Sequence, residues 1–318
     1  MQNSQEYNIL KSSFDSYYQA KILPQLHEIE QKRKRYFFSF VFASIFTLAW
    51  CILLLQGKLN SIIDELSSKG INIGLLSCLF ILLICLPMIG YHRQSKESLL
   101  PLLVNFFGSF DYSYKSVILD DTLQDSRIMP KCDKIEFDDG FNGIYDDVEV
   151  SIREYITYKE KLIRNENISQ YVLKKDKRGI IFCSAMNKEF KGQTIVVTDK
   201  GIINKIIKFK GLDKVGLESP SFEKFYEVYS DNQIEARYIL TPVMLEYMEK
   251  LKSSFSKIEF SFFNNSVFIN IITKKNMFEC NSFFTSIINK KRIYKNFNEL
   301  YLLFSIIRTM HLNEQRLL

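Results

Sequence analysis

Two long uncharged stretches near the N-terminus constrain this chain more than any other feature of its sequence. Residues 36–55 read YFFSFVFASIFTLAWCILLL, and residues 73–91 read IGLLSCLFILLICLPMIGY. Each is close to the roughly 20 residues that a helix needs to cross the hydrocarbon core of a bilayer. Because a segment isolated in lipid must satisfy its own backbone hydrogen bonds, we expect both to be transmembrane helices.

Basic residues flank these stretches on one side of the expected membrane. They are Lys32, Arg33, Lys34 and Arg35 before the first stretch and Arg93 and Lys96 after the second. The connector, residues 56–72, carries two lysines against two acidic residues and nets zero. The positive-inside rule therefore places both termini in the cytoplasm. Topology explains these charges, and recognition of anionic lipid headgroups is a sharper alternative for the same six residues.

The N-terminal arm, residues 1–35, has the spacing of an amphipathic helix. Its apolar side chains recur every three or four residues, at Tyr7, Leu10, Phe14, Tyr17, Tyr18, Ile22, Leu26 and Ile29. We expect Pro24 to bend or restart the helix. The arm could pack within the chain, lie on the membrane or pair with another copy, and packing within the chain is the default expectation.

The remaining residues, 92–318, predict a cytoplasmic α+β domain with a mixed, largely antiparallel sheet and packed helices. Val148, Val150 and Ile152 alternate with polar neighbours, as in a half-buried strand. Residues 257–273 indicate a hairpin that turns at Asn264 and Asn265. Other local signals are an expected turn at Asp139, Gly140 and Gly143, a helix capped by Thr241 and Pro242, and a helix at residues 95–107.

Catalytic, metal and cofactor motifs do not emerge from the sequence. It has three histidines and six scattered cysteines, without the spacing of a zinc site, and we expect no metal and no cofactor. The adjacent acids Asp138 and Asp139, like Asp146 and Asp147, are expected to be solvated loop residues. The net charge of +6 is densest beside the apolar stretches, so we expect no nucleic-acid partner.

The densest cluster of charged and aromatic residues lies at 226–238, YEVYSDNQIEARY. Its candidate ligand or partner residues are Tyr229, Asp231, Glu235 and Arg237. Glu235 and Arg237 would share a face on a strand and diverge on a helix. A structural ion pair and a ligand-binding arginine are both compatible with this spacing. Lysine-rich runs at Lys205, Lys208 and Lys210, and at Lys290, Lys291, Arg292 and Lys295, could face anionic headgroups or merely be solvated.

The same region carries a family resemblance. Residues 220–242, PSFEKFYEVYSDNQIEARYILTP, resemble the signature of the bacterial domain-of-unknown-function family 3137, with Asn232 where the family often has an aspartate. Residues 187–196, NKEFKGQTIV, resemble its block around F-x-G-x-T. The resemblance implies a bacterial inner-membrane protein with a two-pass anchor, and it implies no activity.

These observations favour a membrane-anchored cytoplasmic interaction or scaffold module, with a protein partner, self-association or anionic lipid as its target. One alternative is a membrane-tethered ligand sensor or enzyme with a site near residues 229–237. Another is a lipid-binding protein, which would need an apolar cavity. Enzymatic activity is the less favoured outcome, and the sequence does not decide it.

Overall fold

The computed structural model describes residues 2–56, 73–115, 121–165, 168–186, 189–199, 209–255, 257–279 and 282–315. The chain divides into a helical unit, Met1–Phe106 with Glu279–Lys295, and a sheet unit, Phe107–Phe278 with Asn296–Leu318. Residues 57–72 of the expected connector, together with Lys205 and Lys208, lie outside the described residues.

The helical unit begins with one continuous helical rod. Helix α1 (Gln2–Tyr17) passes through a π-helical turn (Tyr18–Ile22) directly into α2 (Leu23–Leu55). In that turn the backbone N–H of Leu23 donates to the carbonyl of Tyr18, five residues back. Pro24 lacks an N–H, and a π-helical turn beside it accommodates the interrupted ladder. The bend or restart expected at Pro24 is instead a local widening of an unbroken helix.

The apolar stripe expected in the N-terminal arm is buried at Phe14, Tyr18, Ile22, Leu26 and Ile29. The Phe14 ring lies 5.1 Å from the Phe106 ring and 5.3 Å from the Tyr294 ring. The Tyr17 hydroxyl donates to the carbonyl of Leu102 at 3.0 Å. These partners all belong to the helical unit, so the arm packs within the chain, which was the default expectation.

The second long helix, α3 (Ile73–Val104), packs along α2. It joins the apolar stretch at 73–91 to the helix expected at 95–107. Pro87 and Pro101 both lie inside it. The Tyr36 and Tyr91 rings lie 6.4 Å apart between the two helices.

Among the described residues, one helix is long and apolar enough to cross a membrane, Tyr7–Leu53. Its most apolar 18-residue window has a mean hydropathy of 2.0, and none of that window is buried. A core helix of a soluble protein would bury such a window against its neighbours. Length, composition and exposure therefore indicate association with a membrane.

Within the described residues, the sheet unit contains nine strands in the order β1-β2-β3-β4-β9-β8-β5-β7-β6, and each of these strand pairs is antiparallel. The strands are β1 (Ser109–Tyr114), β2 (Lys134–Tyr145), β3 (Val148–Asn165), β4 (Ile168–Ala185), β5 (Thr194–Thr198), β6 (Asp213–Val215), β7 (Tyr226–Ser230), β8 (Lys257–Phe263) and β9 (Ser266–Thr273). The helices are α4 (Asp121–Asp125), α5 (Pro220–Glu223), α6 (Gln233–Ile239), α7 (Pro242–Ser254) and α8 (Lys290–Gln315). This confirms an α+β fold with a large antiparallel sheet.

Two hairpin turns are formed by residues with positive φ. Asn264 and Asn265 have φ of 50° and 51°, which confirms the predicted β8–β9 turn. The β2–β3 turn lies at Asp146 and Asp147, with φ of 51° and 61°. The turn expected at Asp139, Gly140 and Gly143 is wrong, because these residues belong to β2. Gly143 lies so close to β1 that a Cβ there would collide with the Ser109 carbonyl.

One face of the sheet forms the main core of this unit. Adjacent strands contribute the buried residues Ile152, Phe182, Ile269, Phe260 and Val196. Helix α8 adds Phe304, whose ring lies 4.8 Å from that of Phe107 and 4.7 Å from that of Tyr145.

The opposite face carries a smaller core under residues 121–131, here called the strap. Its buried cluster consists of Leu123, Ile128, Tyr155, Ile181, Ile195 and Phe268. Two buried amide side chains hold the strap by its backbone. Asn270 Nδ2 donates to the carbonyl of Ile128 at 2.7 Å, and Gln193 Nε2 donates to the carbonyl of Asp125 at 2.7 Å. The Tyr155 hydroxyl completes this network by donating to Asn270 Oδ1 at 2.7 Å.

Strands β3 and β4 continue past the rest of the sheet. The pairing of β3 with β2 ends at Tyr158, and the pairing of β4 with β9 ends at Arg178. Beyond these points β3 and β4 pair only with each other among the described strands, through to Asn165 and Ile168. We call residues 159–175 the arm hairpin.

Candidate functional site

The conspicuous segment 220–242 folds into a compact corner of the sheet unit. It forms α5, β7 and α6 and ends at Thr241, whose hydroxyl accepts from the backbone N–H of Met244 at 3.4 Å and caps α7. Phe222 and Tyr226 are buried with their rings 4.9 Å apart. The Tyr226 hydroxyl donates to the carbonyl of Met248 at 3.1 Å. The apolar half of the motif is therefore core.

The polar half of the motif forms hydrogen bonds with residues at the start of β5 and in the loop before it. Asp231 Oδ1 accepts from the backbone N–H of Gln193 at 2.9 Å, and the hydroxyls of Ser230 and Thr194 lie 3.0 Å apart. Gly192 has φ +85°, and a Cβ there would collide with the Asp231 carboxylate. Residues 189–196 and the segment around Asp231 thus form one structural unit, although 30 to 40 residues separate them in the chain.

Asn232 begins α6 by capping it. Its Oδ1 accepts from the N–H groups of Ile234 and Glu235 at 3.1 and 3.2 Å. Asparagine and aspartate cap helices about equally well, so the aspartate often found here in the resembled family would serve the same purpose.

Tyr229 lies in β7 on the strap side of the sheet, where its ring is 5.2 Å from that of Phe209. Its hydroxyl donates to Glu227 Oε2 at 3.0 Å, and Glu227 Oε1 accepts from Lys214 Nζ at 2.6 Å. Burial, together with the Glu227 carboxylate, raises the pKa of Tyr229 to about 12. Tyr229 is therefore a neutral hydrogen-bond donor at physiological pH.

Glu235 and Arg237 lie on α6, where a separation of two residues turns side chains about 200° apart. Arg237 instead donates to the carbonyls of Gln233 and Gly216 at 3.2 and 3.3 Å. The strand alternative, in which the two side chains share a face, is wrong. A nearby cavity of about 140 Å³ is lined by residues that include Lys214, Glu223 and Glu227, and none of the four candidate residues is among them.

The outer side of this corner is apolar. Ile234 is 81% exposed, and Tyr238, one turn later on α6, is half exposed. Val243 at the start of α7 and Phe225 before β7 are also exposed. The signal for this surface in the sequence is the spacing of Ile234 and Tyr238, four residues apart and therefore on one side of α6.

Comparison with known proteins places this corner inside a recognised region. Residues 177–312 match a family model described as "Protein of unknown function (DUF3137)". This part of the chain resembles DUF3137. The match spans both motif blocks and confirms the resemblance inferred from them. No curated protein matches the chain.

A solved structure gives a more distant similarity. It is the crystal structure of the mycobacterial trehalose monomycolate transport factor A, TtfA, at 12% identity and a TM-score of 0.35, with 69% of this chain and 94% of that chain covered. Similarity at this level is too low to relate the folds or the functions of the two proteins.

Three carboxylates of strands β2 and β3 meet outside the residues that match DUF3137. Asp138, Asp139 and Glu154 lie with their oxygens within 4.8 Å of one another, and the last two are fully buried. A bulge in β2 turns Asp139 inward, so its expected place in a solvated loop is wrong. The Tyr112 hydroxyl donates to Asp139 Oδ1 at 2.6 Å, and burial and this carboxylate raise the pKa of Tyr112.

An ion pair involves the third acid of this group. Arg178 Nη1 lies 3.6 Å from Glu154 Oε1. Tyr112 and Arg178 thus contact Asp139 and Glu154, and we describe the group as a polar cluster with two buried members. Glu154 follows Ile152 at strand spacing, so the alternation in β3 contained the signal that it points inward.

An open depression of about 430 Å³ is lined by residues of β1, β2, β3, β4 and β9. Its lining includes Asp111, Asn142, Glu149, Ser151 and Ser266, with Ile144 and Cys183 as apolar members. A lipid chain requires a predominantly apolar cavity, and this mixed lining does not supply one.

The basic candidates of the helical unit differ in their surroundings. Arg33 is largely buried, donates to both Glu30 oxygens at 2.7 and 2.9 Å, and donates to the carbonyl of Phe283 at 2.9 Å. The Lys96 side chain is buried as well. Lys34 and Arg35 are exposed. Lys32 and Arg93 form helical ion pairs with Glu28 and Glu97.

Proposed function

We propose that this protein is a two-pass, membrane-anchored module that presents its sheet unit to a protein partner. The observation that carries the anchoring is the unburied apolar window of α2. Its exposed large side chains include Phe38, Phe42, Ile45 and Leu48. In water, a continuous surface of this kind would aggregate, whereas in a bilayer it faces acyl chains at no cost.

The second pass is proposed for residues 73–91 of α3. This segment carries no charge, lies along α2 and exposes Leu82, Leu86 and Ile89. Exposed Lys34 and Arg35 beside the first span support a cytoplasmic N-terminus. Two passes then return the sheet unit to the cytoplasmic side, in the inner membrane of a bacterium as the family resemblance implies.

The proposed partner surface is the outer side of α6, formed by Ile234, Tyr238 and Arg237. Tyrosine and arginine around an apolar centre are typical of the few residues that dominate protein–protein binding. A small-molecule site would instead require the four candidate residues to converge on a cavity, and none of them lines the cavity beside this corner. These features favour a protein over a metabolite or a lipid chain.

Membrane topology is tested by labelling cysteines in intact cells with a maleimide that cannot cross membranes. A Ser67→Cys variant in the connector should react from outside, and a Glu246→Cys variant on α7 should react only after lysis, both measured against the parent protein. External labelling of Glu246→Cys, or protection of Ser67→Cys in intact cells, would contradict the proposed topology.

The partner surface is tested by placing a photo-crosslinking amino acid at Ile234 in native membranes. A discrete protein adduct is expected there, identified by mass spectrometry. The matched control is Glu246, an exposed position on α7 whose carboxylate pairs with Lys250 at 2.7 Å. The same adducts at both positions, or none at Ile234, would count against this surface, and an adduct with the chain itself would indicate self-association.

A further inference from the structure

The arm hairpin, residues 159–175, is a two-stranded projection without a covering layer among the described residues. Its described strands extend over about seven residue pairs, roughly 23 Å at the usual rise of a strand. A two-stranded hairpin in water is marginally stable at best, and a surface that it contacts would stabilise it.

Charge is concentrated in this arm. Residues 159–175 contain five basic and two acidic side chains, so these 17 residues carry a net charge of +3 out of the +6 of the whole chain. Lys159 and Lys174 stand directly opposite each other, and Lys161 lies on the same face. Like charges in opposite positions destabilise a hairpin. Asp176 lies 3.2 Å from Lys159 and offsets only part of this charge.

Apolar side chains lie farther along the arm than most of these lysines. Tyr171 is 70% exposed, and Ile163, Val172 and Leu173 are exposed as well. Leu162 pairs with Tyr171 across the two strands. Lys159, Lys174 and Lys175 lie at the root, Lys161 stands opposite Val172, and Arg164 lies near the described end of the arm beyond most of the apolar residues. Apolar side chains interspersed with and flanked by cations are typical of an interfacial membrane anchor. In such anchors the apolar side chains enter the headgroup region and the cations meet lipid phosphates.

We propose that the arm hairpin binds the surface of an anionic phospholipid membrane. A second copy of the arm would bring like charges together, and lysines along strand edges oppose pairing with another strand. An anionic surface matches the charge and accepts apolar residues from both faces of the arm. The proposal rests on the anchoring of the protein, which keeps the arm near lipid, and gives that anchored module a second contact with a membrane.

The test uses the full chain, incorporated into nanodiscs of phosphatidylcholine alone and mixed with vesicles. Vesicles of phosphatidylcholine with 30% phosphatidylglycerol should carry the nanodiscs with them in flotation, and pure phosphatidylcholine vesicles should not. Amide hydrogen exchange in residues 159–175 should slow on binding, while exchange in β8 and β9 stays unchanged. Failure to enter nanodiscs would count against the anchoring, whereas failure to bind anionic vesicles would overturn the arm proposal alone.

The decisive variant is Lys159→Ser/Lys161→Ser/Lys174→Ser. One lysine near an anionic surface contributes about fivefold in affinity, so the triple variant should bind about a hundredfold more weakly. Lys210→Ser/Lys224→Ser/Lys250→Ser removes the same charge from exposed positions elsewhere in the sheet unit and should retain most of the binding. Equal losses in the two triple variants would overturn a role for the arm.

The apolar contribution is tested with Tyr171→Ser/Leu173→Ser. We expect about a fivefold loss of vesicle binding with unchanged exchange in β8 and β9, because both side chains are exposed in the free protein. Full binding by this variant would contradict insertion of the arm. Recruitment by anionic and neutral vesicles alike would contradict recognition of anionic lipid.

Discussion

Strands β3 and β4 pair with each other along most of their length, yet their two halves lie in opposite surroundings. In the root half, Ile152, Tyr155, Ile180 and Phe182 are fully buried beneath the two layers that cover the sheet. In the arm half, large apolar side chains face solvent on both sides. The same strand pairing is thus buried in one half and exposed in the other. Burial of its side chains depends on neighbouring strands and covering layers, and the pairing itself does not supply it.

The sharpest test of this contrast is truncation of one aromatic residue in each half. Phe182→Ala should lower the free energy of unfolding by about 3–5 kcal/mol, because it leaves a cavity in the main core. Tyr171→Ala in the arm should change it by less than about 0.5 kcal/mol. Denaturant unfolding of the full chain in detergent, followed by far-UV circular dichroism, measures both. Similar losses in both variants would show that the arm is part of the cooperative core.

Hydrogen exchange tests the contrast without mutation. Without anionic lipid, amides of residues 161–173 should exchange at least about a hundredfold faster than amides of β8 and β9, since a two-stranded ribbon opens locally and the central strands open only with the core. Mass spectrometry of peptides from the full chain measures this difference. Comparable protection in both regions would mean that the arm has a stabilising partner within the protein.

The strap offers the corresponding comparison for polar side chains, because a buried amide should contribute more to stability than an exposed one. Asn270→Ala should cost about 1–3 kcal/mol, because the buried Ile128 carbonyl loses its donor and the Tyr155 hydroxyl loses its acceptor. Asn142→Ala is the matched control, since this exposed amide accepts only from Ser151, at 2.8 Å, among the recorded contacts. Its expected cost is below about 0.5 kcal/mol. Thermal unfolding and exchange within the strap provide the readouts, and equal costs would refute the assigned role of Asn270.

The smallest effect on stability is expected for the Glu136 carboxylate, which lies where the buried half of the β3–β4 pair meets the arm hairpin. Lys134 Nζ and the Tyr158 hydroxyl donate to Glu136 at 2.6 and 2.8 Å, and these hydrogen bonds lower the pKa of Glu136. A lowered pKa means that the contribution is present above the ordinary carboxyl value of about 4.3 and is lost as pH falls below it. Because Glu136 is solvent-exposed, the gain should be below about 0.5 kcal/mol.

Glu136→Gln should therefore flatten the decline in melting temperature between about pH 4.3 and pH 3, relative to the parent. Glu149→Gln is a suitable control, because Glu149 is an exposed acid on the neighbouring strand β3. A parallel decline in Glu136→Gln and the parent would show that this carboxylate does not contribute to stability.

Local signals in the sequence predicted local structure well. The Asn264–Asn265 turn and the Thr241–Pro242 helix start each depend on a few adjacent residues, and both are present. The order of the strands depends on contacts between distant residues that no short window contains. Gly143 shows the difference, because the sequence marks it as a turn residue, whereas its absent side chain makes room for β1.

The location of the candidate site could be predicted from local sequence, whereas the roles of its residues could not, because those roles depend on contacts between distant residues. Charge and aromatic density located the corner at residues 220–242, but its roles came from long-range contacts. The Asp231 carboxylate accepts from the backbone N–H of Gln193, and the Arg237 guanidinium donates to the carbonyl of Gly216 rather than pairing with Glu235. The arm hairpin escaped notice because residues 159–175 mix lysines with apolar residues and lack the simple alternation of a strand with one buried face.

The π-helical turn at Tyr18–Ile22 determines how the residues of α2 that follow it are rotated about the helix axis. Phe14, Tyr18, Ile22 and Leu26 recur every four residues, a spacing that winds by about 40° per step around a regular α-helix. The wider turn takes up part of this winding and keeps the four side chains in one buried stripe. Deleting a single residue here would rotate everything downstream by about 100°. The side of α2 that faces α3 is thus determined by a turn of five residues that lies outside the proposed membrane-spanning segment.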